Sequence, residues 1–154
     1  MTITRAEAES LLLRRCAGLM DLAGLDSENE TGLNKDLHDP LVYALLSLGH
    51  SIADYALVSD TDMSAVTSTE MLSFLDLAEY RLLLNISENM SLVDVTLGPR
   101  KESYGQLGIR LKSRISDLSE RIKVEHGIGV GNLEIGDLNL NFQTKGDDDL
   151  PYDS

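Results

Sequence analysis

Six residues near the end of the chain, Tyr104, Gly108, Leu111, Ile115, Leu118 and Ile122, recur at intervals of 4, 3, 4, 3 and 4. That spacing is the heptad of a helix packing lengthwise against a near-parallel partner, which is either another helix of this chain or one of a neighbouring subunit. Gly98 and Pro99 mark a turn ahead of this helix, Leu107 flanks the stripe, and His126 with Gly127 closes it. Such a helix rises about 38 Å at 1.5 Å per residue. A compact bundle of this size needs less, so part of its length is expected to face a neighbouring subunit.

Three shorter helices are predicted upstream. Thr4 and Glu7 have the spacing of a capping box for a helix over residues 5–23, whose stripe is Ala8, Leu12, Cys16, Leu19 and Ala23, with Gly24 as its stop. Residues 26–36 read as a polar loop. Asp39 and Pro40 read as the N-cap and first residue of a second helix, with Leu41, Leu45, Leu48, Ile52 and Tyr55 carrying it to about Val58. Residues 59–66 read as loop. Thr67 and Glu70 then cap a third helix, with Met71, Leu75, Ala78, Leu82 and Ile86 as its stripe and an end near Met90.

Beyond Gly127 the pattern changes. Gly127, Gly129 and Gly131 form a hinge, and Leu133, Ile135, Leu138, Leu140 and Phe142 alternate with polar residues at the period of a half-buried strand. Gly136 and Asp137 interrupt that alternation, so the segment is a tight hairpin or one extended arm with a bulge. A lone strand or hairpin is marginal in water and must pair with something, in its own domain or on another protein's sheet edge. The expected fold class is therefore all-α: a four-helix bundle with a long C-terminal helix, followed by an extended β-strand or hairpin arm. Residues 1–127 form the helical bundle domain; residues 128–154 form a glycine-hinged docking arm and acidic tail, ending in Asp147, Asp148 and Asp149.

The net charge of −13 over 154 residues is unevenly distributed. Residues 1–94 hold 5 Lys/Arg against 16 Asp/Glu, residues 95–126 hold 7 against 4, and residues 127–154 hold 1 against 6. One helix is basic and the remainder acidic, which disfavours general binding to nucleic acid. The basic side chains Arg100, Lys101, Arg110, Lys112, Arg114, Arg121 and Lys123 face solvent, pair with acidic neighbours in the bundle, or contact the next subunit. A single cysteine excludes an internal disulfide and the paired-cysteine zinc motifs. Apolar runs such as Leu11 to Leu13 fall far short of the ~18 residues of a membrane span, and the expectation is a soluble intracellular protein.

Catalytic chemistry finds little support. His38, His50 and His126 are scattered, and none has a glutamate three residues before it, as a helical di-metal site would need. Asp60, Asp62 and Ser64 begin like a calcium loop, yet Ala65 stands where that loop requires glycine and Met71 where it requires glutamate. Cys16 lies on an apolar helix face and reads as a small buried hydrophobe. No enzyme, metal or cofactor is expected.

Three shorter helices, a turn Gly98-Pro99-Arg100-Lys101-Glu102-Ser103 leading into a long helix, then a glycine hinge and a strand-forming tail, give a layout over residues 38–143 that resembles the head-to-tail connector (adaptor) proteins of tailed bacteriophages. The resemblance implies a noncatalytic structural virion protein, made in the host cytoplasm and located in the virion neck. Its copies would form a homo-oligomeric ring, commonly twelvefold, beneath the portal protein, contacting tail-side neck or tail proteins. The ring would surround DNA without binding it specifically. On that reading Leu133, Ile135, Leu138, Leu140 and Phe142 bind the partner, while Arg110, Leu111, Arg114, Ile115, Leu118, Arg121 and Ile122 form the subunit interface. The extra helix over residues 5–23 departs from the layout. The alternative is an acidic helical chaperone or regulatory adaptor that binds one protein partner.

Overall fold

The computed structural model describes residues 2–94 and 101–128, and over these the chain is all-α. Five helices follow in order: α1 (Arg5–Leu22), α2 (His38–Ser47), the single turn α3 (Asp60–Met63), α4 (Met71–Asp94) and α5 (Lys101–Glu125). A 3₁₀ turn, Lys35–Leu37, leads into α2. The strand-patterned residues Leu133, Ile135, Leu138, Leu140 and Phe142 lie outside the described residues.

The central element is α4, against which α1, α2 and α5 all pack. Its sequence explains the position. The expected stripe of Met71, Leu75, Ala78, Leu82 and Ile86 covers one face, yet Phe74, Leu77, Tyr80 and Leu83 are also buried, so the helix is apolar around most of its circumference. A helix of that kind is stable only when surrounded. Leu111, Leu118 and Ile122 of α5, Leu12, Cys16 and Met20 of α1, and Leu41 and Leu45 of α2 belong to the one core that surrounds it.

α1 begins as expected: Thr4 accepts from the Glu7 backbone N–H, and the Glu7 carboxylate reaches back to the Thr4 N–H at 2.8 Å. It ends at Leu22, with Gly24 at φ +76°. α2 departs from expectation at both ends. Asp39 and Pro40 lie within its first turn and its N-cap is Leu37, the side-chain cap having moved to Asn34 of the preceding 3₁₀ turn. It stops at Ser47, about ten residues before Val58, because Gly49 adopts φ +85° and the His50 N–H closes back on Leu45 O at 3.0 Å. This is the glycine stop already seen at Gly24. Ile52 reaches the core from the loop beyond it, whereas Tyr55 is exposed.

The segment 59–66, expected to be loop, contains α3, capped reciprocally by Ser59 and Asp62. Its acidic residues are structural. Asp60 accepts from the Arg5 backbone at 2.8 Å, and Asp62 accepts from Ala53 and Ser59. Arg5 and Glu9 in turn form a buried lock: Arg5 Nε donates to Glu9 Oε1 at 3.0 Å and its other nitrogens to the carbonyls of Val58 and Asn34. Glu9 also accepts from the backbone of Gly32 and Asn34. One ion pair thereby fastens both long loops to the first turns of α1, each buried polar group having a partner.

α4 starts one turn after Thr67, with the Glu70 carboxylate accepting from the Thr67 N–H at 3.0 Å, and runs to Asp94, four residues past the expected end. At its middle, Asp39 of α2 holds Arg81 at 2.7 Å and Asn85 at 3.0 Å.

A charge seam between the first, fourth and fifth helices

Two carboxylates interrupt the apolar surface of α4 where α1 and α5 cross it. Asp76 and Glu79 are one turn apart on one side of the helix, and their side chains are only 8% and 7% exposed. Carboxylates so placed require partners. Arg15 of α1 bridges them, with Nη1 at 3.2 Å from Asp76 Oδ1 and 2.8 Å from Glu79 Oε2. From α5, Arg114 meets Glu79 Oε1 at 2.7 Å and Arg121 meets Asp76 Oδ1 at 2.9 Å. His126, just past the end of α5, places Nε2 at 2.9 Å from Asp76 Oδ2. Arg114 also donates to the Arg15 carbonyl at 3.2 Å, tying α5 to α1 directly.

The spacing on α5 is what makes this possible. Arg114 and Arg121 are seven residues apart, two turns on one face of α5, so both reach the same side of α4, where their long side chains converge on carboxylates only one turn apart. Burial works to raise the Asp76 carboxyl, but the hydrogen bonds from His126, Arg121 and Arg15 and the charge of Arg121 outweigh it, so it sits below its ordinary value of 3.8. Cys16, against the same seam, is pushed up to about 12, by burial first and by the Glu79 charge second. Its thiol stays protonated and unreactive at neutral pH. Among the described residues no group of histidine, cysteine and carboxylate side chains is arranged to hold a metal ion, and no helix is long and apolar enough to cross a membrane.

The residues expected at a subunit interface divide in two. Leu111, Leu118 and Ile122 are buried in this chain's own core, Ile115 packs against it half-buried, and Arg114 and Arg121 are engaged by Glu79 and Asp76. The heptad stripe is thus a seam between helices of one chain, because α4 is apolar enough to receive it. Arg110 is exposed and borders, with Ser113, Asp117 and Arg121, a hollow of about 360 Å³. The outer face of α5 shows Ile109 and Val124, each 70% exposed. Arg15, Asp76, Glu79 and His126 are not among the residues that the sequence pattern assigns to a site. The available signal was two carboxylates one turn apart inside the apolar run from Phe74 to Tyr80.

Compared with protein-family models, with curated proteins and with solved structures, the chain matches none.

Proposed function

We propose that this chain is a structural assembly subunit of the head-to-tail connector type, forming a ring beneath a phage portal and extending the DNA channel. The observation that supports it best is α5. It spans 25 residues, is fixed along one side by the apolar stripe and the charge seam, and leaves Ile109, Lys112 and Val124 facing outward. A head-to-tail ring needs two unlike, complementary patches on each subunit. We assign one of them to the outer face of α5 and the other to the exposed acidic surface of the bundle, to which Asp21, Asp26, Glu28 and Glu30 contribute. The subunit contact is accordingly assigned to Ile109, Lys112 and Val124 of α5 together with Arg110, rather than to the buried stripe. Residues 132–143 are proposed as the portal-docking arm.

The test is electron microscopy and light scattering of the full chain, concentrated alone and mixed with its cognate portal protein. Rings, commonly twelvefold, are expected on the portal, and Ile109→Asp with Val124→Asp should abolish them while leaving thermal unfolding unchanged. Failure to form rings under either condition would refute the proposal. A discrete one-to-one complex with a single partner would favour the acidic helical adaptor instead.

A further inference from the structure

The N-terminal ends of α1 and α4 lie together and enclose a groove of about 480 Å³. Ile3, Leu11 and Met71 supply its apolar lining, Ser68 borders it, and Glu7 and Arg14 stand at its margin. A concavity of this size is within the roughly 300–1,000 Å³ in which proteins seat a few side chains of a ligand. Beside it Leu72 is 65% exposed, an unusual state for leucine in the first turn of an otherwise encased helix.

The last described residues come to the same end of the molecule. His126 is pinned to Asp76, one turn along α4 from Met71 and Leu72, and Ile128 packs against the core. Leu72, Asp76, Glu125 and His126 together border a second hollow of about 680 Å³. The chain therefore leaves the bundle beside the groove, at Gly127, whose φ of +65° turns it out of the helix. Leu133, the first of the alternating apolar side chains, stands five residue steps beyond Ile128. Fully extended, those five steps reach about 17 Å.

We propose that the groove is the seat of the chain's own residues 132–143, with side chains from the series Leu133, Ile135, Leu138, Leu140 and Phe142 filling the space over Ile3, Leu11 and Met71. Three considerations favour this occupant over a foreign one. The apolar residues of the segment's sequence pattern need cover, and the groove offers apolar surface needing the same. The segment is tethered a short span away, so its effective concentration at the groove is in the millimolar range, which a free partner seldom matches. Glu134 and Asp137 on the segment complement Arg14 at the groove margin. The inference concerns the isolated chain and does not rest on the connector reading: if residues 132–143 also dock on a portal, they would leave the groove to do so.

The test uses the full chain carrying Met71→Cys together with a cysteine at each of positions 133, 135, 138, 140 and 142 in turn, oxidised with oxidised glutathione. Native Cys16 is buried, its thiol is held protonated, and it does not compete. At least one pair is expected to give an intramolecular disulfide in a yield independent of protein concentration and severalfold above that of Leu22→Cys paired with the same position, since Leu22 lies at the far end of α1. As a second readout, Met71 in the otherwise native chain should be oxidised by peroxide severalfold more slowly than in the Leu138→Asp, Leu140→Asp variant, with the fully buried Met20 and Met63 as internal references. Cross-linking no better than the control at all five positions, or an unchanged Met71 oxidation rate, would overturn the proposal. Disulfide-linked dimers whose yield rises with concentration would overturn it too, assigning the groove to a second copy.

Discussion

Removing the Asp76 carboxylate asks whether α5 is held by charge as well as by its apolar stripe. In Asp76→Ala three donors lose an acceptor together: Arg15 at 3.2 Å, Arg121 at 2.9 Å and His126 at 2.9 Å. Breaking a fully buried ion pair costs about 3–5 kcal/mol, because a bare charge is left in the interior. The cost here is smaller. Arg121 is 45% exposed and turns to water, while Arg15, 32% exposed, keeps Glu79 at 2.8 Å. At about 0.5–1 kcal/mol for each arginine bond and about 1 kcal/mol for the drier histidine bond, the loss is roughly 2–3 kcal/mol. For a chain of this length that lowers the melting temperature by roughly 4–12 °C.

The assay is urea unfolding of the full chain followed by circular dichroism, with Arg121→Ala and the double variant closing a cycle on the pair. Acid provides a second test. The folded-state pKa of Asp76 is depressed, so its contribution is present above the unfolded value and is lost as pH falls through the folded one. The stability gap between the native chain and Asp76→Asn should therefore narrow below pH 3.8. A change under about 0.5 kcal/mol at neutral pH, the range of ordinary surface substitutions, together with an unmoved acid limb, would refute the reasoning and leave α5 held by apolar contact alone.

Other outcomes follow from the same packing. Ile122→Ala, at a fully buried position, should cost about 2–5 kcal/mol in urea unfolding, and Ile115→Ala, half-buried on the same stripe, distinctly less. Arg5→Met should cost about 3–5 kcal/mol by leaving buried Glu9 without its cation, and Glu9→Gln added to it should restore part of the loss in the same assay. Gly49→Ala should cost about 1–2 kcal/mol from its left-handed backbone, since an added Cβ there meets open space. The isolated protein should not retain duplex DNA at physiological salt in a filter-binding assay; salt-sensitive micromolar binding would contradict this.

What could be read from the chain was local, and what could not be read depended on tertiary neighbours. The Thr4–Glu7 box, the Gly24 stop and the long last helix are set within a few residues of backbone, and each stands where its residues indicate. Ile52 and Tyr55 continue the spacing of α2 although Gly49 has already turned the chain; Ile52 is buried from a loop, which periodicity cannot distinguish from burial on a helix. α3 is too short to show a period, but Ser59 and Asp62 carried its capping signature. The all-round burial of α4 follows from its central position, which no single stripe discloses. For the same reason nothing local marks Asp76 and Glu79 as buried, since their partners Arg15, Arg114 and Arg121 come from two other helices.

The charge balance reads differently once the helices are assembled. Residues 95–126 carry an excess of three positive charges, and a basic stripe on a surface helix suggests a face for phosphate or for an acidic neighbour. Two of its arginines, Arg114 and Arg121, are instead spent on Glu79 and Asp76 of α4. Seen from outside, their positive charge is largely cancelled, and Arg110, Lys112 and Lys123 stand among Asp117, Glu120 and Glu125 on a helix surface close to neutral. A surface close to neutral exerts little long-range force on either DNA or an acidic bundle. Association through it would draw on the apolar Ile109 and Val124 as much as on charge, and apolar contact is little affected by salt, whereas exposed ion pairs are screened within about 10 Å at 0.1 M. The basic composition of α5 is therefore explained first by the two carboxylates buried beneath it.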